Sequence, residues 1–98
     1  MDINFIEYFQ HWYISKCDGV WEHSYGFTLD TIDNPGWRVI LDGESNRRPI
    51  TVKIPSAADF DDNDNWIVID ANDNKFEGHC SPQNLPIVLQ YAKEWIEK

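Results

Sequence analysis

The segment Tyr25-Gly26-Phe27-Thr28-Leu29-Asp30-Thr31-Ile32-Asp33-Asn34-Pro35-Gly36-Trp37-Arg38-Val39-Ile40-Leu41 decides the fold class. Tyr25, Phe27, Leu29 and Thr31 alternate with Gly26, Thr28, Asp30 and Ile32, the period of a half-buried strand. Asp33-Asn34-Pro35-Gly36 then turns the chain: Pro presets φ, Gly tolerates positive φ, and the Asx side chains bond nearby backbone. Trp37, Val39 and Leu41 alternate on the return, so the spacing predicts a hairpin. Downstream, Ile50, Val52 and Ile54 mark a third strand ending at Pro55. Trp66 to Asp70 forms a fourth, with Trp66 and Val68 on one face and Ile67 and Ile69 on the other. Lys75 to Cys80 forms a weaker fifth, across the Asn72-Asp73-Asn74 turn.

Helices flank this region. Phe5, Ile6, Phe9, Trp12 and Tyr13 recur at the spacing of one helical face, with Asp2 as the expected cap and Cys17-Asp18-Gly19 as the expected stop. Leu85, Val88, Leu89, Ala92, Trp95 and Ile96 form a second stripe, entered through Ser81-Pro82-Gln83-Asn84 with Asn84 as cap. Pro86 falls in the first turn, where a missing N–H costs little. The expected architecture is an α+β two-layer sandwich: a four- to five-stranded antiparallel meander with both helices packed on one face.

Ninety-eight residues fit a single domain, 1–98, large enough to fold without disulfide staples. Two cysteines and the lack of a basic, apolar leader lead us to expect a reducing cytoplasm. No apolar run approaches the ~20 residues of a membrane span. Seventeen acidic against eight basic residues give a net charge of -9. That balance argues against nucleic acid and anionic membranes as partners, and favours a basic protein. The stretch from Ser56 to Asn65, with Asp59, Asp61, Asp62 and Asp64, suits a flexible loop.

The densest chemical cluster is Cys17-Asp18-Gly19-Val20-Trp21-Glu22-His23. Cys17 with His23 could form a thiolate nucleophile and its base, the alternative enzymatic reading. Against it, a helix C-terminus disfavours a thiolate. Zinc held by Cys17, His23, His79 and Cys80 lacks the usual close ligand pairing, and His79 and Cys80 point to opposite faces of a strand. The Asp70-x-Asn72-x-Asn74 run begins like a calcium loop but has Lys75 where glycine is required. No metal or cofactor is therefore expected. Nor does the chain contain a phosphate-cradling loop or nucleophile elbow. Trp12 and Trp95 belong to helix stripes and hence the core. Trp21, Trp37 and Trp66 sit at a loop or at strand starts, where a tryptophan beside carboxylates can anchor a protein partner.

Taken together, Trp12, Cys17-Asp18-Gly19-Val20-Trp21-Glu22-His23-Ser24-Tyr25-Gly26, Asp33-Asn34-Pro35-Gly36-Trp37, Asp73-Asn74-Lys75-Phe76-Glu77-Gly78 and Pro82-Gln83-Asn84-Leu85 resemble the immunity protein 53 family of bacterial polymorphic toxin systems. The resemblance runs from about Phe9 to Ile96. It departs at His79-Cys80-Ser81, where the family has Gly-Gly before Pro, and carries nothing over between Gly43 and Asn65. It implies a cytoplasmic inhibitor without catalytic residues, which binds and neutralises a cognate toxin domain. An acidic inhibitor would suit a basic toxin, such as a nuclease, whose active site it covers. The expected partner-binding residues are Asp18, Trp21, Glu22 and His23 in the post-helix loop and Trp37 at the hairpin turn. The acidic charge adds Asp61, Asp62 and Asp64 as secondary candidates for a steering patch.

Overall fold

The computed structural model describes residues 4–33, 35–54 and 65–97. Helix α1 spans Phe5–Lys16, a single 3-10 turn spans Trp21–His23, and the strands are β1 Phe27–Ile32, β2 Gly36–Asp42, β3 Ile50–Ile54, β4 Ile67–Ala71 and β5 Lys75–Cys80. A second 3-10 turn, Pro82–Asn84, leads into α2, Leu85–Glu97. The α+β class and the antiparallel sheet agree with the period-two and helical patterns.

The helix boundaries follow local chemistry. Asn4 caps α1, its side-chain oxygen accepting from Glu7 N–H at 3.1 Å. Asp2, the expected cap, lies outside the described residues. At the other end the Cys17 N–H bonds the carbonyls of Tyr13 and Ile14. Asn84 does not cap α2. Its amide donates to Asn65 Oδ1, the Trp66 carbonyl and Ser81 Oγ, and Ser81 instead begins the preceding 3-10 turn. The side chain faces acceptors from the two residues before β4 and from Ser81, so its donor end is used.

The strand order is β1-β2-β5-β4-β3, which departs from a sequential meander at one connection. The chain makes the β1–β2 hairpin, crosses to the far edge for β3, and returns through β4 to place β5 beside β2. Trp37 lies opposite Cys80 and Leu41 opposite Phe76 in that pairing. The crossing segment is stitched to the β4–β5 turn by Glu44 N–H to the Asn74 carbonyl and Arg47 N–H to the Asp73 carbonyl. That turn is the stretch with calcium-loop spacing; Asn72 Oδ1 accepts from Asn74 and Lys75 N–H, an Asx turn.

One sheet face carries the core. Phe27, Leu41, Phe76 and Ala71 are opposite one another across four strands, as are Leu29, Val39, Gly78 and Ile69. The α2 stripe of Val88, Leu89, Ala92 and Trp95 is buried against this face. A Cβ at Gly78 would come within 2.7 Å of a Val88 methyl, so glycine sets the depth at which α2 sits. On the same face Phe9 of α1 packs on Phe27, their ring centroids 5.0 Å apart. Both helices therefore cover one side. The other side presents Asp30, Arg38, Glu77, His79 and Asp70, with Arg38 paired to Asp30.

Candidate functional site

The loop from Cys17 to Gly26 is a closed hydrogen-bonded unit. Asp18 Oδ1 accepts from the N–H groups of Val20 and Trp21, both at 2.9 Å. The Glu22 carboxylate reaches back to Asp18 N–H at 3.0 Å and Gly19 N–H at 2.9 Å. This is the logic of a capping box, applied to a single 3-10 turn. Gly19 sits at φ +95°, the left-handed conformation that aims its N–H at Glu22. Bonds from Trp21 and then Val20 N–H hold Asp18 below the ordinary carboxylate range. Glu22 is likewise lowered, first by its own backbone N–H and then by those of Asp18 and Gly19. Both acids are thus fixed negative charges on a rigid loop.

Trp21 fastens this loop to the body. Its ring packs edge-on against Trp12 at 5.6 Å and Tyr13 at 5.9 Å, and its indole N–H donates to the Gly43 carbonyl at 3.0 Å. Gly43 has φ +94°, and a Cβ there would collide with the Trp21 indole and the Tyr25 ring. The half-buried Trp21 is therefore a fastening as well as a candidate contact. His23 is exposed. No hydrogen bond joins His23 to the Cys17 thiol, whose charge instead bears on Tyr13 and pushes that hydroxyl above its ordinary value. The thiol-enzyme reading gains no support from this geometry. Cys80 is fully buried on the core face, where burial pushes its thiol up to about 11, while His79 points to the other face.

The expected residues do not form one patch. Asp18, Trp21, Glu22 and His23 share the loop near the Gly43 end of β2. Trp37 begins β2 at its opposite end, roughly 20 Å away at ~3.3 Å per residue, and its indole N–H is held by the Pro82 carbonyl. Asp61, Asp62 and Asp64 lie outside the described residues.

Two features went unread in the sequence. Glu44, in what looks like a polar connection, is buried with its side chain 2% exposed. Burial opposes its charge, yet hydrogen bonds from Trp12, Lys16 and Arg47 outweigh burial and hold its pKa below the usual range. Lys16 Nζ and Arg47 Nε lie 3.0 and 2.8 Å from its oxygens. The node ties α1 to the crossing segment, and sequence spacing gives no sign of it.

The second feature is the surface between α1, the loop and β1. Of eight large apolar side chains exposed among the described residues, six belong to α1, the loop after it or β1: Ile6, Tyr13, Ile14, Val20, Tyr25 and Leu29. Val20 is 74% exposed at the tip of the loop that Asp18 and Glu22 hold in shape. A groove of about 310 Å³ lies between α1 and β1, lined by Ile6, Tyr13 and Leu29 of these six, with Leu89 also in its wall.

In the loop, Asp18 and Glu22 are turned to holding it, Trp21 is turned inward as its fastening, and Val20 is turned outward. That combination defines a small α+β protein built to present a surface to another macromolecule. The model of the family described as immunity protein 53 matches residues 6–97, and the chain belongs to that family. No curated protein and no solved structure matches the chain. It is accordingly an immunity protein, whose partner is a cognate toxin protein. Among the described residues no helix is long and apolar enough to cross a membrane.

Proposed function

We propose that this immunity protein neutralises its toxin in the cytoplasm by covering the toxin's active site with the surface around the Asp18–His23 loop. The observation that carries this is the concentration of exposed apolar side chains on α1, the following loop and β1, with two carboxylates locked in place on that loop. Val20, Tyr13 and Tyr25 supply apolar contact area, and His23 adds an exposed polar group. Asp18 and Glu22 contribute charge that is already ordered, so little entropy is lost on docking. A net charge of -9 favours a basic toxin, such as one acting on nucleic acid, and speeds its approach by electrostatic steering. Asp61, Asp62 and Asp64 add to that steering. Trp37 stands apart from this surface, and we leave it out.

Stopped-flow association with the cognate toxin domain tests the assignment. Val20→Asp should raise the dissociation rate by at least ~10-fold, the scale of one lost apolar anchor. Glu22→Lys should slow association and weaken its salt dependence. Unchanged rates for both folded variants would remove the loop from the interface.

A further inference from the structure

The two edges of the sheet are guarded unequally. At one edge, β3 has Pro49 before it, Lys53 within it and Pro55 after it in the sequence. Those are the residues by which proteins keep an edge from pairing with another chain. At the other edge β1, Phe-Thr-Leu-Asp-Thr-Ile, contains neither Lys nor Pro, and its one charge, Asp30, is neutralised by Arg38 on β2. Among the described residues no strand pairs with its outer side.

The register tells which backbone groups face outward. The Asp42 N–H donates to the Gly26 carbonyl, and the β1–β2 register continues to place these residues opposite one another. In an antiparallel ladder such bonded pairs alternate with unbonded ones. Thr28, Asp30 and Ile32 therefore point their N–H and C=O groups at β2, and Phe27, Leu29 and Thr31 point theirs away from it. The side chains of Phe27 and Leu29 line the groove beneath α1, together with Ile6, Phe9 and Tyr13. Leu29 is 43% exposed although it sits on the core face of the sheet, because the helix layer stops short of the edge.

We infer that the β1 edge is the seat for an extended segment of the toxin, which joins the sheet as a sixth strand. This rests on the immunity reading above and names the mode of recognition. The added strand bonds to the outward backbone groups of Phe27, Leu29 and Thr31. Its residues opposite Phe27 and Leu29 point into the groove, so it carries apolar side chains at alternate positions. Charge decides between a toxin segment and a second copy of this chain. Two copies edge to edge would bring -9 against -9, whereas a segment bearing Lys or Arg is attracted.

Leu29→Pro removes one outward N–H and leaves the β1–β2 ladder bonds in place, the one setting in which a strand accepts proline. Leu29→Lys keeps the N–H but puts a positive charge at the groove, and serves if the proline variant does not fold. Calorimetric titration with the cognate toxin domain should show each folded variant weakened by about 10- to 100-fold. The proline variant is weakened by a lost backbone bond with its unpaired partner, and the lysine variant by a charge set against the apolar groove and the basic segment. Hydrogen exchange should show the amides of Phe27, Leu29 and Thr31 unprotected in the free protein and protected in the complex. Wild-type affinity in both variants, with those amides still exchanging in a tight complex, would overturn the edge assignment while leaving the immunity reading intact. Protection of the same amides in a free protein that sediments as a dimer would give the edge to a second copy and likewise overturn it. A folded wild type that fails to bind the folded toxin domain would instead overturn the immunity reading itself, and this inference with it.

Discussion

Replacing Glu44 by alanine removes the acceptor at the centre of the node that joins α1 to the β2–β3 crossing. The Trp12 indole N–H, buried with it, loses its partner, at a cost of about 1–3 kcal/mol. Two charge-assisted bonds, from Lys16 and Arg47, go as well. Those side chains remain 28% and 27% exposed, so their charges rehydrate and the penalty falls short of the ~3–5 kcal/mol for a fully buried broken pair. We expect a net loss of about 3 kcal/mol, which for a domain of this size lowers Tm by roughly 12–24 °C. Urea and thermal melts followed by tryptophan fluorescence will read it. Glu44→Gln keeps an oxygen for Trp12 and should cost less than Glu44→Ala. The pH dependence has a definite sign. The folded carboxyl titrates below its unfolded value, so its contribution is complete above about pH 4.5 and is lost as pH falls through the depressed folded pKa. The Glu44→Gln variant should therefore have a flatter stability profile there than the wild type. A loss under about 1 kcal/mol for Glu44→Ala would refute the node as a fastening of the fold.

Gly78→Ala should destabilise by about 1–3 kcal/mol, because its methyl meets Val88 and pushes α2 off the sheet; an unchanged urea midpoint would contradict the close approach. Native protein should take one iodoacetamide label, at exposed Cys17, with Cys80 reacting only in denaturant; mass spectrometry counts the labels. A Cys17 alkylation rate at pH 7 equal to that of a model thiol is the expected result, and a rate enhanced a hundredfold would revive the thiol-enzyme reading. Trp37→Phe should lower Tm through loss of the bond to the Pro82 carbonyl yet leave toxin affinity unchanged, since Trp37 lies at the far end of β2.

Alternation and helical stripes made the five strands and both helices legible, because each is a local pattern that burial enforces on one face. The placement of β5 beside β2 is a long-range choice. It depends on the fit of Phe76, Gly78 and Cys80 beneath α2, which no local period encodes. Glu44 escaped notice for a related reason: its partners Trp12, Lys16 and Arg47 come together only once the crossing is made. At the surface, Asp18 and Glu22 stood out by composition, but composition does not tell a carboxylate that binds a partner from one that caps its own loop. The geometry shows the capping, and it moves the emphasis from the acids to the exposed Val20, whose loop they hold, and to the exposed Tyr13 and Tyr25. Unequal guarding of the two edges was in the sequence all along. It acquires meaning only with the strand order, which makes β1 and β3 the outermost strands.

The central claim is most directly tested by titration calorimetry against the cognate toxin domain, run in parallel with that domain's toxicity assay. The account predicts one-to-one, saturable, nanomolar binding that weakens as salt rises, with toxicity abolished at equimolar inhibitor. A folded, active toxin domain that shows no heat of binding and remains fully toxic in the presence of excess protein would contradict it.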